Sequence, residues 1–336
     1  NALEKGAEYL AGYEPFEQGF GVVNVVRAWD YLQTESVVHR NIEATQFTPS
    51  YGYGQGYFSK SLQPGKLKLY LTNNGDQHEI VEIQTPDWIK ASQQELQLPS
   101  KSTRSVFLEY ESLSNPGIYT DYVNINRILY PNEPIKILQT IIVPYQLFQM
   151  NNGTLEASGE LGPGKMMRYF YKIPAGMDKL TFQLQVQQGR ARIHVIAPDG
   201  CTDASNFAGK GQVKNQSLVE MGYLNPQEGV WEVVVYSSSS LSDFQEKSSI
   251  YNLTAVLYGK AEVKPIWSSK YLVSSLPRAS NNSSSQYITL NFWDPITKQP
   301  AQGVVSVNGK LYEIDQGKII TEVVPGDEKI RLTLAW

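Results

Sequence analysis

Residues 179–189, KLTFQLQVQQG, put Leu180, Phe182, Leu184 and Val186 at every second position with polar side chains between them. Successive side chains of a strand point to opposite faces of its sheet, so this period of two predicts a strand with one face in a core. Similar runs lie beyond it: ARIHVIAPDG at 191–200, GVWEVVVYSS at 229–238 and YNLTAVLYG at 251–259. Together they predict a β-sandwich over residues 151–260. Upstream, strand-like runs at 67–71, 80–83, 106–110, 119–125 and 137–143 are separated by Asn73-Asn74-Gly75-Asp76 and Asn115-Pro116-Gly117. Turn signals at this spacing, with no helical period between them, predict another antiparallel sandwich over 35–150. Residues 150–164 carry the breakers that mark the boundary between the two.

The upstream sandwich fits the immunoglobulin or fibronectin-III type, with Trp88 expected in or between its sheets. Residues 261–286 are rich in Ser and Asn, carry Pro265 and Pro277, and read as a linker. Residues 287–336 order a strand, Asp294-Pro295, a strand, an Asn308-Gly309 hairpin and a Pro325-Gly326 turn, as in a small transthyretin-like or immunoglobulin-like sandwich. The chain stops at Trp336 straight after a strand, so more is expected to follow. The fold class is therefore mainly β, in tandem sandwiches.

The first 34 residues differ. Leu3, Ala7 and Leu10 share a helical face that ends near Gly12, and Val25, Val26, Trp29 and Leu32 form a second apolar stripe. Asn24 stands where a side chain caps the helix behind it, and Gly19 and Gly21 supply the turn between. Two short helices are expected, with the Val25–Leu32 stripe covered by a second copy of the chain or, preferably, by the adjoining sandwich, because leaving it in water would be costly.

Composition narrows the class. Of 336 residues 41% are hydrophobic and 18% charged, which supports folded domains, and the length calls for more than one. A net charge of −4 with scattered Lys and Arg offers no basic stripe to nucleic acid. No apolar run is long enough for a spanning helix. The single cysteine, Cys201, excludes an internal disulfide and any CxxC motif. It follows the Pro198-Asp199-Gly200 turn, so an exposed or half-exposed loop thiol is expected. His39, His78 and His194 form no metal-ligand pair in sequence.

NALEKGAEYL (1–10) followed by QGFGVVNVVRAWDYL (18–32) resembles the closing helices of a subtilisin-like serine peptidase domain. Between Thr85 and Pro144, the elements Pro86-Asp87-Trp88, Leu96 and Leu98, Pro116-Gly117-Ile118-Tyr119 and Val143-Pro144 resemble the segment that follows the catalytic domain in the tripeptidyl peptidase II group. The 151–260 pattern is similar to jelly-roll modules appended to secreted bacterial peptidases. This resemblance implies a C-terminal, non-catalytic region whose catalytic Asp, His and Ser lie upstream of Asn1. It implies a secreted or cell-surface parent of bacterial type, with partners in its own catalytic domain and in peptide or protein substrates, and self-association.

The residues themselves supply no catalytic set. Nucleophilic hydrolysis needs a serine, a base and an orienting group, and no G-T-S-M or G-x-S-x-G elbow is present. Glu79 with Glu82 and Glu109 with Glu111 read as charges protecting sheet edges. Asp199 and Glu228, beside turn glycines, read as solvated loop tips and not metal ligands. SYGYGQGYF (50–58) lacks the strand-to-helix setting of a phosphate loop. No catalytic, cofactor-binding or metal-ligating residue is accordingly expected in this chain. Two functions stay open: an accessory region bracing a subtilisin-like peptidase, positioning substrate or driving assembly, or a cell-surface chain of carbohydrate- or protein-binding modules, in which Tyr51, Tyr53 and Tyr57 would stack on sugars.

Overall fold

The structure is a computed structural model that describes residues 2–34, 41–48, 52–60, 62–147, 153–211, 216–259, 272–273, 286–293, 299–307, 310–323 and 332–334. It is mainly β, as the alternating runs predict, and it divides into two compact units. One comprises Asn1–Ser114, Ile118–Ile141 and Ile266–Trp336; the other comprises Asn115–Gly117 and Ile142–Pro265.

The first unit is organised on the strand Gln63–Asn73. Leu67, Leu69 and Leu71 are completely buried along it. Burying each contributes roughly 1.5–3 kcal/mol, which fixes the face the strand turns inward. Ser102–Tyr110 pairs along one side, and Ile42–Thr48 pairs with the C-terminal half of the other. Lys310–Ile314 joins the N-terminal half in parallel, Lys310 opposite Gln63, and carries Gly303–Val307 and Leu332–Leu334 beyond it. The predicted pairing is antiparallel, but among the described residues this pairing, that of Gln139–Ile141 with Tyr57–Ser59 and the single Tyr145–Tyr171 bridge are parallel. The second sheet orders Tyr57–Ser59, Tyr130–Val143, Gly117–Arg127, Glu79–Gln84 and Glu95–Leu98.

Buried polar groups join these two sheets. Gln139 Nε2 donates to Gln46 Oε1 at 3.0 Å, and Tyr110 Oη donates to Gln139 Oε1 at 2.8 Å. Asn73 Nδ2 donates to the Leu98 carbonyl at 3.0 Å, while its Oδ1 accepts from Gly75 N and shapes the predicted turn. Trp88 is half-buried between Tyr110 and Tyr119, its ring centroid 6.4 Å from each.

Glu79 is not an edge charge: its strand lies between two others, its side chain is buried, and its carboxylate accepts from the buried Arg127 guanidinium. Parity explains the inward turn, since Glu79 shares a face with Val81 and Ile83, and Arg127 with Val123 and Ile125. Glu82, of opposite parity, is exposed; Glu109 is exposed and pairs with Lys66 at 2.7 Å.

The second unit faces two sheets around one core. Leu180, Phe182 and Leu184 are fully buried and Val186 nearly so, packed with Tyr171, Trp231, Val233 and Leu253. Met177–Gln188 pairs with Ser249–Gly259 and Leu218–Leu224; Gly229–Ser237 pairs with Met166–Ile173 and Arg190–Ile196. The breaker-rich stretch before Gly164 itself contributes a strand, Thr154–Leu161, along Ser249–Gly259. Apart from 272–273 and 286, the stretch read as a linker lies outside the described residues, as do His39, Tyr51 and the turns at 294–295, 308–309 and 325–326.

Candidate functional site

The amino-terminal segment forms three helices where two are expected: α1 (Ala2–Gly6), α2 (Pro15–Gln18) and α3 (Val25–Thr34). α1 stops early because Glu8 and Val22 exchange backbone hydrogen bonds at 2.8 and 2.9 Å, drawing the chain into a β-bridge. Pro15 opens α2 with its fixed φ, and the Glu17 carboxylate accepts from Glu14 N at 3.1 Å. The Gln18 side chain then closes the loop, donating to the carbonyls of Leu10 and Tyr13 and accepting from Leu10 N. Asn24 caps α3 as expected, its Oδ1 accepting from Arg27 N at 3.0 Å.

What α3 buries is Ala28, not its apolar stripe. Ala28 packs on Gly6 so closely that a Cβ on Gly6 would stand 2.5 Å from the Ala28 nitrogen. The stripe points away: Val25 is 68% exposed, Val26 70%, Trp29 61% and Leu32 45%. The expectation that the sandwich covers it is therefore wrong. The turn reaches the sandwich, where Phe20 stacks on Tyr122 of Gly117–Arg127 and the Tyr122 hydroxyl donates to the Gly19 carbonyl. The Gly6 and Ala28 pair, small residues facing across two helices, was the signal for the buried side. The helical segment is thus held to a folded unit while presenting an unpartnered hydrophobic face.

The residues weighed for chemistry do not converge. Cys201 is exposed, and its thiol is pushed up from the usual range by a hydrogen bond to Asp199 and by that carboxylate's charge. Asp199 shapes the turn by accepting from Cys201 N at 2.9 Å, and Glu228 is exposed. Among the described residues no three His, Cys, Asp or Glu side chains gather as a metal site. His78 is exposed; His194 lies on Arg190–Ile196, its pKa lowered by burial and then by Arg192. Tyr57 is buried, and Tyr53 packs edge-on against Phe47 and Tyr70 while donating to Glu313. Tyr57 is therefore closed to a sugar, while Tyr53 keeps an exposed ring whose hydroxyl is engaged by Glu313.

No family model matches the chain. Pyrolysin of Pyrococcus furiosus is 23% identical over 358 residues, spanning 99% of this chain and 24% of pyrolysin. The chain is related to a subtilisin-like protease. The crystal structure of tripeptidyl peptidase 2 is similar in fold, with a TM-score of 0.60 at 14% identity, covering 91% of this chain and 26% of that one. This chain therefore spans about a quarter of each of these relatives. No helix among its described residues is long and apolar enough to cross a membrane.

Proposed function

We propose that this chain is the non-catalytic, C-terminal region of a subtilisin-like serine peptidase, and that residues 1–34 complete the catalytic domain of that peptidase. The observation that carries this reading is the exposed stripe of α3, attached through Phe20 and Tyr122 to the first unit. Full burial of each of its large side chains would contribute roughly 1.5–3 kcal/mol, so the face has a strong tendency to be covered. A catalytic domain immediately upstream is the partner nearest in chain. In this reading residues 35–150 and 287–336, which share the sheet of Gln63–Asn73, and residues 151–260 are modules appended to it, with 261–286 as a linker. They brace the catalytic domain and present peptide substrates to it, in a secreted or cell-surface protein. The nucleophile, base and orienting acid come from upstream, and the isolated chain hydrolyses no peptide.

The test uses the longer parent chain. Its reading frame before Asn1 should encode a G-T-S-x-A-x-P nucleophile motif. Trp29 should be accessible to acrylamide in the isolated chain and protected in the parent. V26D with W29D should abolish assembly of active parent while leaving the melting curve of the isolated chain within about 0.5 kcal/mol, as exposed substitutions do. An upstream frame without the motif, or equal quenching of Trp29 in both proteins, would overturn the reading.

A further inference from the structure

The second unit carries a charged feature that the accessory role does not use. On Arg190–Ile196, Ala191, Ile193 and Val195 face the core, so Arg190 and Arg192 project from the opposite face of the sheet. Their guanidinium groups are interleaved with aromatic rings. Arg190 lies 4.6 Å from the centroid of Phe207 and 5.1 Å from that of Phe244. Arg192 lies 4.9 Å from the same Phe207 ring and 5.5 Å from Tyr236. The rings hold both cations in place, and the Nε of each is buried without a hydrogen-bond partner. Both residues are half-buried, so each keeps part of its side chain open to solvent.

Neighbouring cations are neutralised and these two are not. Arg168 pairs with Glu232 at 2.5 Å, and Lys210 with Glu246 at 3.6 Å. Among the described residues no carboxylate pairs with Arg190 or Arg192. Two residues apart on a strand, their Cα atoms stand about 6.6 Å apart on one face, and the two like charges repel until an anion answers them. We propose that this face binds an extended acidic peptide whose carboxylates fall at alternate residues.

Three arguments select that partner. An extended peptide repeats every two residues with the same rise of about 6.6 Å, so alternate Glu or Asp side chains match both forks in register. Each fork can take a carboxylate bidentately, a geometry that lysine cannot supply. The ring faces are already occupied by guanidinium groups, which removes the stacking platform a carbohydrate needs. Two cations on a chain of net charge −4 also fall short of the multiple phosphate contacts that nucleic acid binding rests on.

The test is fluorescence anisotropy with the full chain and two labelled peptides of equal Glu content, one repeating Glu-Gly and the other Glu-Gly-Gly. At low salt the alternating peptide should bind severalfold more tightly. R190Q/R192Q, checked by its melting curve, should weaken it by about tenfold or more, and R190K/R192K by an intermediate factor. Equal affinity for the two peptides, no binding of either, or tighter binding of a heparin fragment of matched charge would overturn the proposal. The peptide and heparin comparisons are made on the unaltered protein, so they decide even if the variants unfold.

Discussion

Glu79 and Arg127 set the cost of one side chain. Both are nearly inaccessible and face each other across the second sheet of the first unit. Removing one partner strands the other charge in the interior, so Glu79→Gln should lower the unfolding free energy by roughly 3–5 kcal/mol, read from urea denaturation. Glu82→Gln, three residues along and exposed, should change it by less than about 0.5 kcal/mol. The same scale governs Cys201, whose thiolate is disfavoured by Asp199. Asp199→Asn should shift the pH profile of iodoacetamide alkylation to lower pH; an unmoved profile would show that Asp199 does not control the thiol. Both local effects are written in the sequence. The parity of Glu79 with Val81 and Ile83 marks it as inward, and the Asp199-Gly200-Cys201 order places a carboxylate beside the thiol.

Among elements, the parallel docking of Lys310–Ile314 against Gln63–Asn73 depends on Glu313. Its buried carboxylate accepts from Lys68 N at 3.1 Å, from Tyr53 Oη at 3.1 Å and from Tyr70 Oη, while Lys68 Nζ pairs with Asp315 at 2.8 Å. Glu313→Ala leaves these donors unanswered and should cost about 1.5–3 kcal/mol by denaturant titration, with Glu313→Gln milder because it keeps an acceptor. Burial and then the Glu313 charge push the Tyr53 hydroxyl up to about 12, and burial with Glu313 raises Tyr70 further. A phenol whose folded pKa is raised binds more protons folded than unfolded. Its contribution is complete below the ordinary value of about 10 and is lost as pH rises through about 12. Stability should therefore fall above pH 10 more steeply in the natural protein than in Tyr53→Phe. A period-two run announces a strand, as Leu67, Leu69 and Leu71 do, but not its neighbour. Nothing local in residues 310–314 points to residues 63–66, and no signal short of the folded register could have paired them. The α3 stripe shows the same limit, because an apolar face states that it needs cover without naming what covers it.

At the scale of the whole molecule, each unit has a core of its own. The one in Ile142–Pro265 is built on Phe182, Tyr171 and Trp231. Residues 142–265 expressed alone should fold with a cooperative melt and a near-ultraviolet dichroism signal. Phe182→Ala should destabilise that fragment by roughly 3–5 kcal/mol. A fragment lacking a cooperative transition would mean that this core does not suffice by itself.

The distance along the chain between Lys68 and Glu313, 245 residues, also imposes an order in time. A ribosome adding about 5–20 residues per second needs roughly 12–50 s to deliver the second after the first. For that interval the N-terminal half of Gln63–Asn73 has made its inner contacts but offers an open hydrogen-bonding edge, the feature by which one nascent chain can template another. Stalled nascent chains ending before residue 303 should be more prone to pair with one another than released full-length chains. Completion of the sheet around Gln63–Asn73 therefore waits on synthesis of Lys310–Ile314, whatever the speed of its other strands.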